Sequence, residues 1–373
     1  MGFASKVLGK TSANEPSVKK YRTLIMGASY GSLLGTKLAL AGHDVTLVCL
    51  PAEVEAINRD GVRVRLPIKG TDQQVEVDSR TLPGKIVADG PANVKPQDFD
   101  LIALAMQEPQ YRTPGARELL ETVAQSRKPT MSIMNMPPLP YLRRIRGLDP
   151  KPLEAAYTDP SVWQSFDPSV FTLCSPDPQA FRPPDEPPNV LQVTLPTNFK
   201  AARFESDAHT EMLRTMQKDI ENARFGNEKL ELPVKLKVHD SIFVPLAKWA
   251  MLITGNYRCV QKNEARSIRD AVHTNAEESR KTYDWVRELC ISLGASPNDL
   301  VPFEKYAAAS LGLSRPSSAA RALFAGAPNI ERVDRLVQTI AAQKGMHLAV
   351  LDETVTMVDE RLAKNREAAL AKA

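Results

Sequence analysis

The stretch from Tyr21 to Leu50, YRTLIMGASYGSLLGTKLALAGHDVTLVCL, limits the fold more than any other part of the chain. YRTLIM is a short β-type run, a glycine-containing turn follows, and SLLGTKLALAG has the apolar spacing of a helix that stops at Gly42. HDVTLVCL is a second apolar strand. Together they predict a βαβ unit, in which the helix is the crossover that two parallel strands require. DLIALAM, Asp100 to Met106, reads as a buried strand, ARELLETVAQS as a helix, and TMSIMNM, Thr130 to Met136, as a further strand. The alternation predicts an α/β fold with a doubly wound parallel sheet of the Rossmann type.

From about Asp149 to Asn189 the character changes. SPDPQAFRPPDEPPN carries prolines at a density that excludes helix and central strand, so the stretch reads as a long surface excursion. VLQVTLPTNFKAARF resumes a strand pattern, Thr210 to Ala223 is a helix, and LPVKLKVHD alternates as a strand. Beyond Asp240 the β signals stop. SIFVPLAKWAMLITGN reads as a helix, and Ile330, Val333, Leu336, Val337 and Ile340 mark the apolar face of another that starts near Ile330. The expected organisation is a mobile tail over residues 1–20, a Rossmann-type domain over 21–240 with the excursion near 150–190, and an all-helical domain over 241–373. A length of 373 residues agrees, since one core stops growing near roughly 250 residues.

Composition excludes several classes. The net charge of +4 is mild and its basic residues alternate with acidic ones, so nucleic acid is not an expected partner. No apolar run approaches the roughly 18 residues of a membrane span. Cys49, Cys174, Cys259 and Cys290 show no CxxC spacing, and His43, His209, His239, His273 and His347 form no metal pair. A reduced, cytoplasmic setting with no metal is expected. The first twenty residues lack the apolar core of a secretory signal.

In a dinucleotide-binding turn, glycines permit the tight bend and the close approach of pyrophosphate, which lies at the helix N-terminus. Gly27, Gly31 and Gly35 supply part of this pattern, with Ala28, Ser29 and Tyr30 between the first two and Ser32 behind them. Counted from Gly27 to Gly31 the turn is one residue short, and Tyr30 is expected to line the groove, stacking on a ligand or obstructing it. The second strand runs out as VCLPAE, with neither an acid for a ribose diol nor a base for a 2′-phosphate at its end. Lys248 is a cation in an otherwise apolar helical run, either at the edge of its helix or aimed into a cleft to meet a carbonyl or carboxylate. Asn256, eight residues on, shares roughly that face, and Asn135 ends a strand at the carboxyl edge where ligands of open α/β sheets bind. Ser317, Ser318 and Asn329 read as helix caps, and Glu331 as an acid complementing a helix dipole.

GSLLGTKLALAGHDVTLV, VEAINRDGVRV, NMP at Asn135, LAKWAMLITGN and RPSSAARALFAGAPNIERVDRL together resemble the ketopantoate reductase family, from about Tyr21 to His347. The resemblance implies a Rossmann domain followed by a helical domain like the C-terminal one of 6-phosphogluconate dehydrogenase. It also implies reduction of a 2-oxo acid with NADPH in the cleft between them. By the same resemblance Lys248 polarises the ketone and protonates the alkoxide, with Asn135 and Asn256 beside it and Ser317 or Ser318 on the carboxylate. The departures lie around the anchoring positions. The middle glycine of the turn is missing, and the arginine for the 2′-phosphate is Leu50. The lysine after DLIALAM is Gln107, the first helical asparagine is Leu252, and the glutamate falls at Asn329 or Ile330 unless Glu331 replaces it.

These readings predict a distant member, an NAD(P)-dependent oxidoreductase acting on a 2-oxo acid or related carbonyl. NADP or NAD would be held by Gly27, Ala28, Ser29, Tyr30, Gly31, Ser32 and Gln107, with weak selectivity between the two. Ser317, Ser318, Asn329 and Glu331 would hold a substrate that is a small carboxylate. The alternative is a non-redox enzyme on the same fold, performing addition, elimination or hydrolysis with Lys248, Asn135 and Asn256. A second copy of the chain is a candidate partner.

Overall fold

The computed structural model describes residues 19–371 apart from residues 69 and 72. All but the last two positions of the expected tail therefore lie outside the described residues. In chain order the first part contains β1 (Arg22–Met26), α1 (Tyr30–Leu40), β2 (Asp44–Val48), α2 (Pro51–Asp60), β3 (Arg63–Pro67), β4 (Gln74–Asp78) and β5 (Ile86–Asp89). Then come β6 (Leu101–Leu104), α3 (Ala116–Ser126), β7 (Thr130–Ile133), the one-turn α4 (Leu139–Leu142), β8 (Phe171–Ser175) and β9 (Gln179–Phe181). β10 (Val190–Leu195), β11 (Phe199–Ala202), α5 (Asp207–Asn222) and β12 (Leu236–His239) complete it. The helical part holds α6 (Lys248–Met251), α7 (Ile268–His273), α8 (Ala276–Ser292), α9 (Phe303–Ser310), α10 (Ser318–Phe324), α11 (Val333–Gln343) and α12 (Ala349–Leu370).

The main sheet has the order β12-β11-β8-β7-β6-β1-β2-β5 and is parallel except where β11 meets β8. Leu24, Ile25 and Met26 of β1 are fully buried because helices cover both faces, the normal state of a parallel sheet. α1 packs so close that a Cβ on Gly31 would lie 2.9 Å from Ile25 Cγ2 and one on Gly35 3.3 Å from Val45 Cγ1. Those two glycines thus set the helix-to-sheet distance. A second sheet, β4-β3-β10-β9, stands beside the first. One apolar cluster runs from Leu24 and Leu104 through α3 to α8, α11 and α12, so the sheet and the helices after it share a core.

Three expectations are corrected. The excursion is not only surface: β8 is a fully buried central strand, and Tyr157, Trp163 and Phe166 pack into the core. Its prolines are tolerated because several open short 3₁₀ turns, where no backbone N–H is needed. The helix around Lys248 is not uniform. A 3₁₀ turn begins it next to Pro245, α6 follows, and a π turn spans Leu252–Asn256. Finally, α11 starts at Val333 and not near Ile330, with Arg332 at its N-cap and no side-chain cap, so Asn329 and Glu331 belong to the preceding loop.

Candidate active site

In a doubly wound sheet, ligands lie at the carboxyl ends of the strands, where the chain order reverses, here between β1 and β6. Gly27 leaves β1 with φ +105°, and α1 begins three residues later at Tyr30. In the register of G-x-G-x-x-G that makes Ser29 third and Ser32 sixth, so the turn has full length, with serines at the last two glycine positions. Ser29 is exposed, its side chain caps nothing, and no acid occupies the first turn. The start of α1 is therefore an open, uncapped helix N-terminus, as an anion requires. Ala28 is buried, and Ser32 donates to its carbonyl at 2.5 Å. Gln107 is exposed at the end of β6, its N–H held by Gln110 Oε1 at 2.9 Å.

At the other side of the sheet edge the structure brings Lys248, Glu331, Asn135, Asp177 and Tyr30 together. Lys248 Nζ donates to the Pro176 carbonyl at 2.6 Å and lies 3.7 Å from Asp177 Oδ1, with its side chain 21% exposed. Burial lowers its affinity for a proton, while the Asp177 carboxylate opposes that shift. Asp177 is paired with Lys200 Nζ at 2.8 Å and accepts from Ser175. Burial would raise its carboxyl, but Lys248 and Lys200 outweigh burial and hold it below the usual range. Lys200 reaches it because β11 pairs with β8 in the register Lys200 opposite Ser175.

Glu331 accepts from the N–H of Glu108 at 3.3 Å, and its backbone carbonyl accepts from the Tyr257 phenol at 2.5 Å. Burial pushes its carboxyl up to about 8, against the pull of the Glu108 N–H, Lys248 and the Asn135 side chain. It is then largely a neutral acid at pH 7. Glu108, also buried, accepts from Thr158. Asn135 Oδ1 is buried without a partner among the described residues, at the end of β7. An orphan acceptor there is what a bound donor would satisfy.

The remaining predicted residues are placed elsewhere or engaged. Asn256 is half-buried at the end of the π turn, and its carbonyl accepts from Ser317 Oγ at 2.7 Å. Ser317 also caps α10 through the Ala320 N–H, the capping role read from sequence. Ser318 is exposed at the start of that helix. Asn329 accepts from Arg112 Nη2 at 3.0 Å in the amide orientation its surroundings favour.

Sequence reasoning missed the chain's own cover over this edge. Leaving β8, the segment Ser175–Arg182 crosses Lys248, receives the Tyr30 phenol on Pro178 O at 3.1 Å, and ends with Arg182 on Glu53 of α2. Glu53 folds back onto the Leu50 N–H at 2.9 Å, so both an acid and a base stand at the end of β2, where VCLPAE predicted neither. The alternating charges of SPDPQAFR gave no period that could have placed them.

Residues 23–135 match the family model "Ketopantoate reductase PanE/ApbA". No curated protein matches the chain. Among solved structures it is similar to a 2-dehydropantoate 2-reductase from Methylococcus capsulatus, at 16% identity and TM-score 0.59, covering 92% of this chain and 97% of that one. A PanE/ApbA family ketopantoate reductase from Ralstonia eutropha JMP134 gives 16% identity and TM-score 0.57, with 92% and 99% covered. D-mandelate dehydrogenase, solved with NADH and anilino(oxo)acetate, gives 13% and 0.59, again over 92% and 99%. The expected resemblance and the fold class are thus borne out. No described helix is long and apolar enough to cross a membrane.

Proposed function

We propose that this chain, a distant relative of the ketopantoate reductases, is an NAD(P)-dependent oxidoreductase that reduces the carbonyl of a 2-oxo acid. The observation that carries the reading is Lys248 at the sheet edge, its Nζ 2.6 Å from Pro176 O and 3.7 Å from Asp177 Oδ1, with the buried carboxyl of Glu331, raised to about 8, in the same site. The Gly27 turn, the uncapped start of α1 and the orphan Oδ1 of Asn135 fit a dinucleotide. Such a cofactor supplies the hydride. Lys248 then polarises the carbonyl oxygen and gives a proton to the alkoxide as the new C–H bond forms, and Glu331 holds the proton that restores it. Lys200, paired with Asp177, is the cation suited to the substrate carboxylate. Pro176 and Asp177 stand where that substrate would lie, so the covering segment lifts when it binds.

The same crossing favours a second reading. If Tyr30 and Pro178 keep the nicotinamide out, Lys248, Glu331 and Asn135 remain arranged for carbonyl chemistry without a hydride. Titration with NADH and NADPH, followed by nicotinamide fluorescence, separates the two. Micromolar binding with oxidation of the reduced cofactor by 2-oxo acids supports the reductase. No binding of either overturns it in favour of the non-redox enzyme.

A further inference from the structure

The segment that leaves β8 meets both cations of the site with groups that a 2-oxo acid also carries. Such an acid has a carbonyl oxygen and a carboxylate on adjacent carbons, and the segment has them on adjacent residues. Lys248 Nζ donates to Pro176 O at 2.6 Å and lies 3.7 Å from Asp177 Oδ1, while Asp177 Oδ2 lies 2.8 Å from Lys200 Nζ. A largely buried ammonium without a partner is costly. With no substrate bound, these two acceptors keep Lys248 satisfied.

The segment is nevertheless lightly fastened. Pro176 and Pro178 have no backbone N–H, and that of Asp177 bonds within the segment, to Ser175 O at 3.0 Å. β9, which follows, is a three-residue edge strand with Gln179 and Phe181 exposed, and its ladder with β10 is irregular between Val193 and Leu195. The ties to other elements include the Tyr30 phenol on Pro178 O and the Arg182 side chain on Glu53. Lifting this stretch breaks few backbone bonds, whereas β8 before it is a buried central strand.

We infer that Pro176 and Asp177 are a built-in mimic of the substrate: the covering segment occupies its carbonyl and carboxylate positions and keeps the site shut until a 2-oxo acid displaces it. The inference rests on the reductase reading for the class of acid that competes. Apparent affinity is then the intrinsic affinity reduced by the fraction of molecules that are open. Loosening the segment must tighten the ligand, the opposite of what losing a binding element does.

The probe is oxamate, an amide analogue of a 2-oxo acid that accepts no hydride, titrated by calorimetry alone and with NADH present. Pro178→Gly keeps the carbonyl that Tyr30 meets and gives the released segment more freedom, and Arg182→Gln frees its far end. Each should bind oxamate about threefold or more tightly than the parent. In the parent, oxamate should quicken amide exchange at Asp177 and Gln179. The inference is overturned if both variants bind oxamate no more tightly than the parent, because the segment then helps to hold the ligand or is indifferent to it. It is also overturned if bound oxamate leaves exchange at both amides unchanged, or if no form binds it under either condition. Failure of the reductase reading is distinct: reduced dinucleotides are then not bound or not oxidised, whatever oxamate does.

Discussion

Tyr30, the first residue of α1, donates its phenol to the carbonyl of Pro178, 148 residues later in the chain. Its ring stands edge-on to Phe199, and burial, with the Asp177 carboxylate nearby, pushes the phenol up to about 12. It therefore stays a donor at neutral pH. The bond ties the turn below the candidate cofactor site to the segment above it. Tyr30→Phe removes only the hydroxyl and should cost about 0.5–1.5 kcal/mol. Amide exchange at Asp177 and Gln179 should quicken, because the segment between them loses a tether. Protection unchanged at both positions would mean that Tyr30 acts by packing alone.

Gly27 tests the turn itself. A Cβ there would lie 2.7 Å from Met106 Cγ and 2.9 Å from the Ala105 carbonyl, and φ is +105°. Gly42, with φ +93°, has nothing within 4 Å. Gly42→Ala should therefore show only the backbone penalty, about 1–3 kcal/mol, while Gly27→Ala adds a clash with β6 of about 1–3 kcal/mol more. Denaturant midpoints measure both. Equal losses would mean that β6 yields without cost.

How far the sequence reached follows the range of each signal. β1, α1, β2, β6, α3 and β7 were legible because apolar period and Gly punctuation are local, and ARELLETVAQS became α3 residue for residue, whereas α2 and β3 to β5 were not assigned from the sequence. Lys248 stood out because a cation among apolar neighbours is conspicuous in one dimension. β8 was hidden, since FTLCS is only five residues beside a proline cluster that suggested surface. Asp177, Lys200, Glu53 and Arg182 could not be read at all. Each acquires meaning through a partner on another element: Asp177 with Lys200 across an antiparallel pair, and Arg182 with Glu53 across 129 residues.

Glu331 should leave a signature in stability against pH. Its carboxyl is raised from 4.5 to about 8, so between those values the folded state holds a proton that the unfolded chain has released. Stability must then fall as pH rises through that window, by roughly 1.4 kcal/mol for each unit of separation between pH and the lower value. Glu331→Gln removes the titration but keeps an acceptor for the Glu108 N–H. The melting temperature of the variant, relative to the parent, should climb steadily from pH 5 to pH 8. A constant difference across that range would show that the carboxyl ionises freely in the fold.

Lys248 is expected to carry the chemistry. Its ammonium is held by Pro176 O at 2.6 Å and by Asp177 at 3.7 Å, and an aliphatic side chain of similar length can fill the same space. Replacing a buried ion-pair member by an apolar residue is tolerated best where its partner has another cation, and Asp177 keeps Lys200. Lys248→Met should thus leave the melting temperature within a few degrees of the parent. Turnover of a 2-oxo acid should fall about a hundredfold or more, since one well-placed donor to a developing oxyanion contributes about 3–4 kcal/mol. Asp177→Asn supplies the complementary evidence. The Asp177 charge supports the Lys248 proton against burial, so its removal should move the alkaline limb of the pH–rate profile to lower pH. Near-parental turnover in Lys248→Met would make the lysine an edge cation that merely fastens the covering segment, and an unmoved alkaline limb in Asp177→Asn would assign that limb to another group.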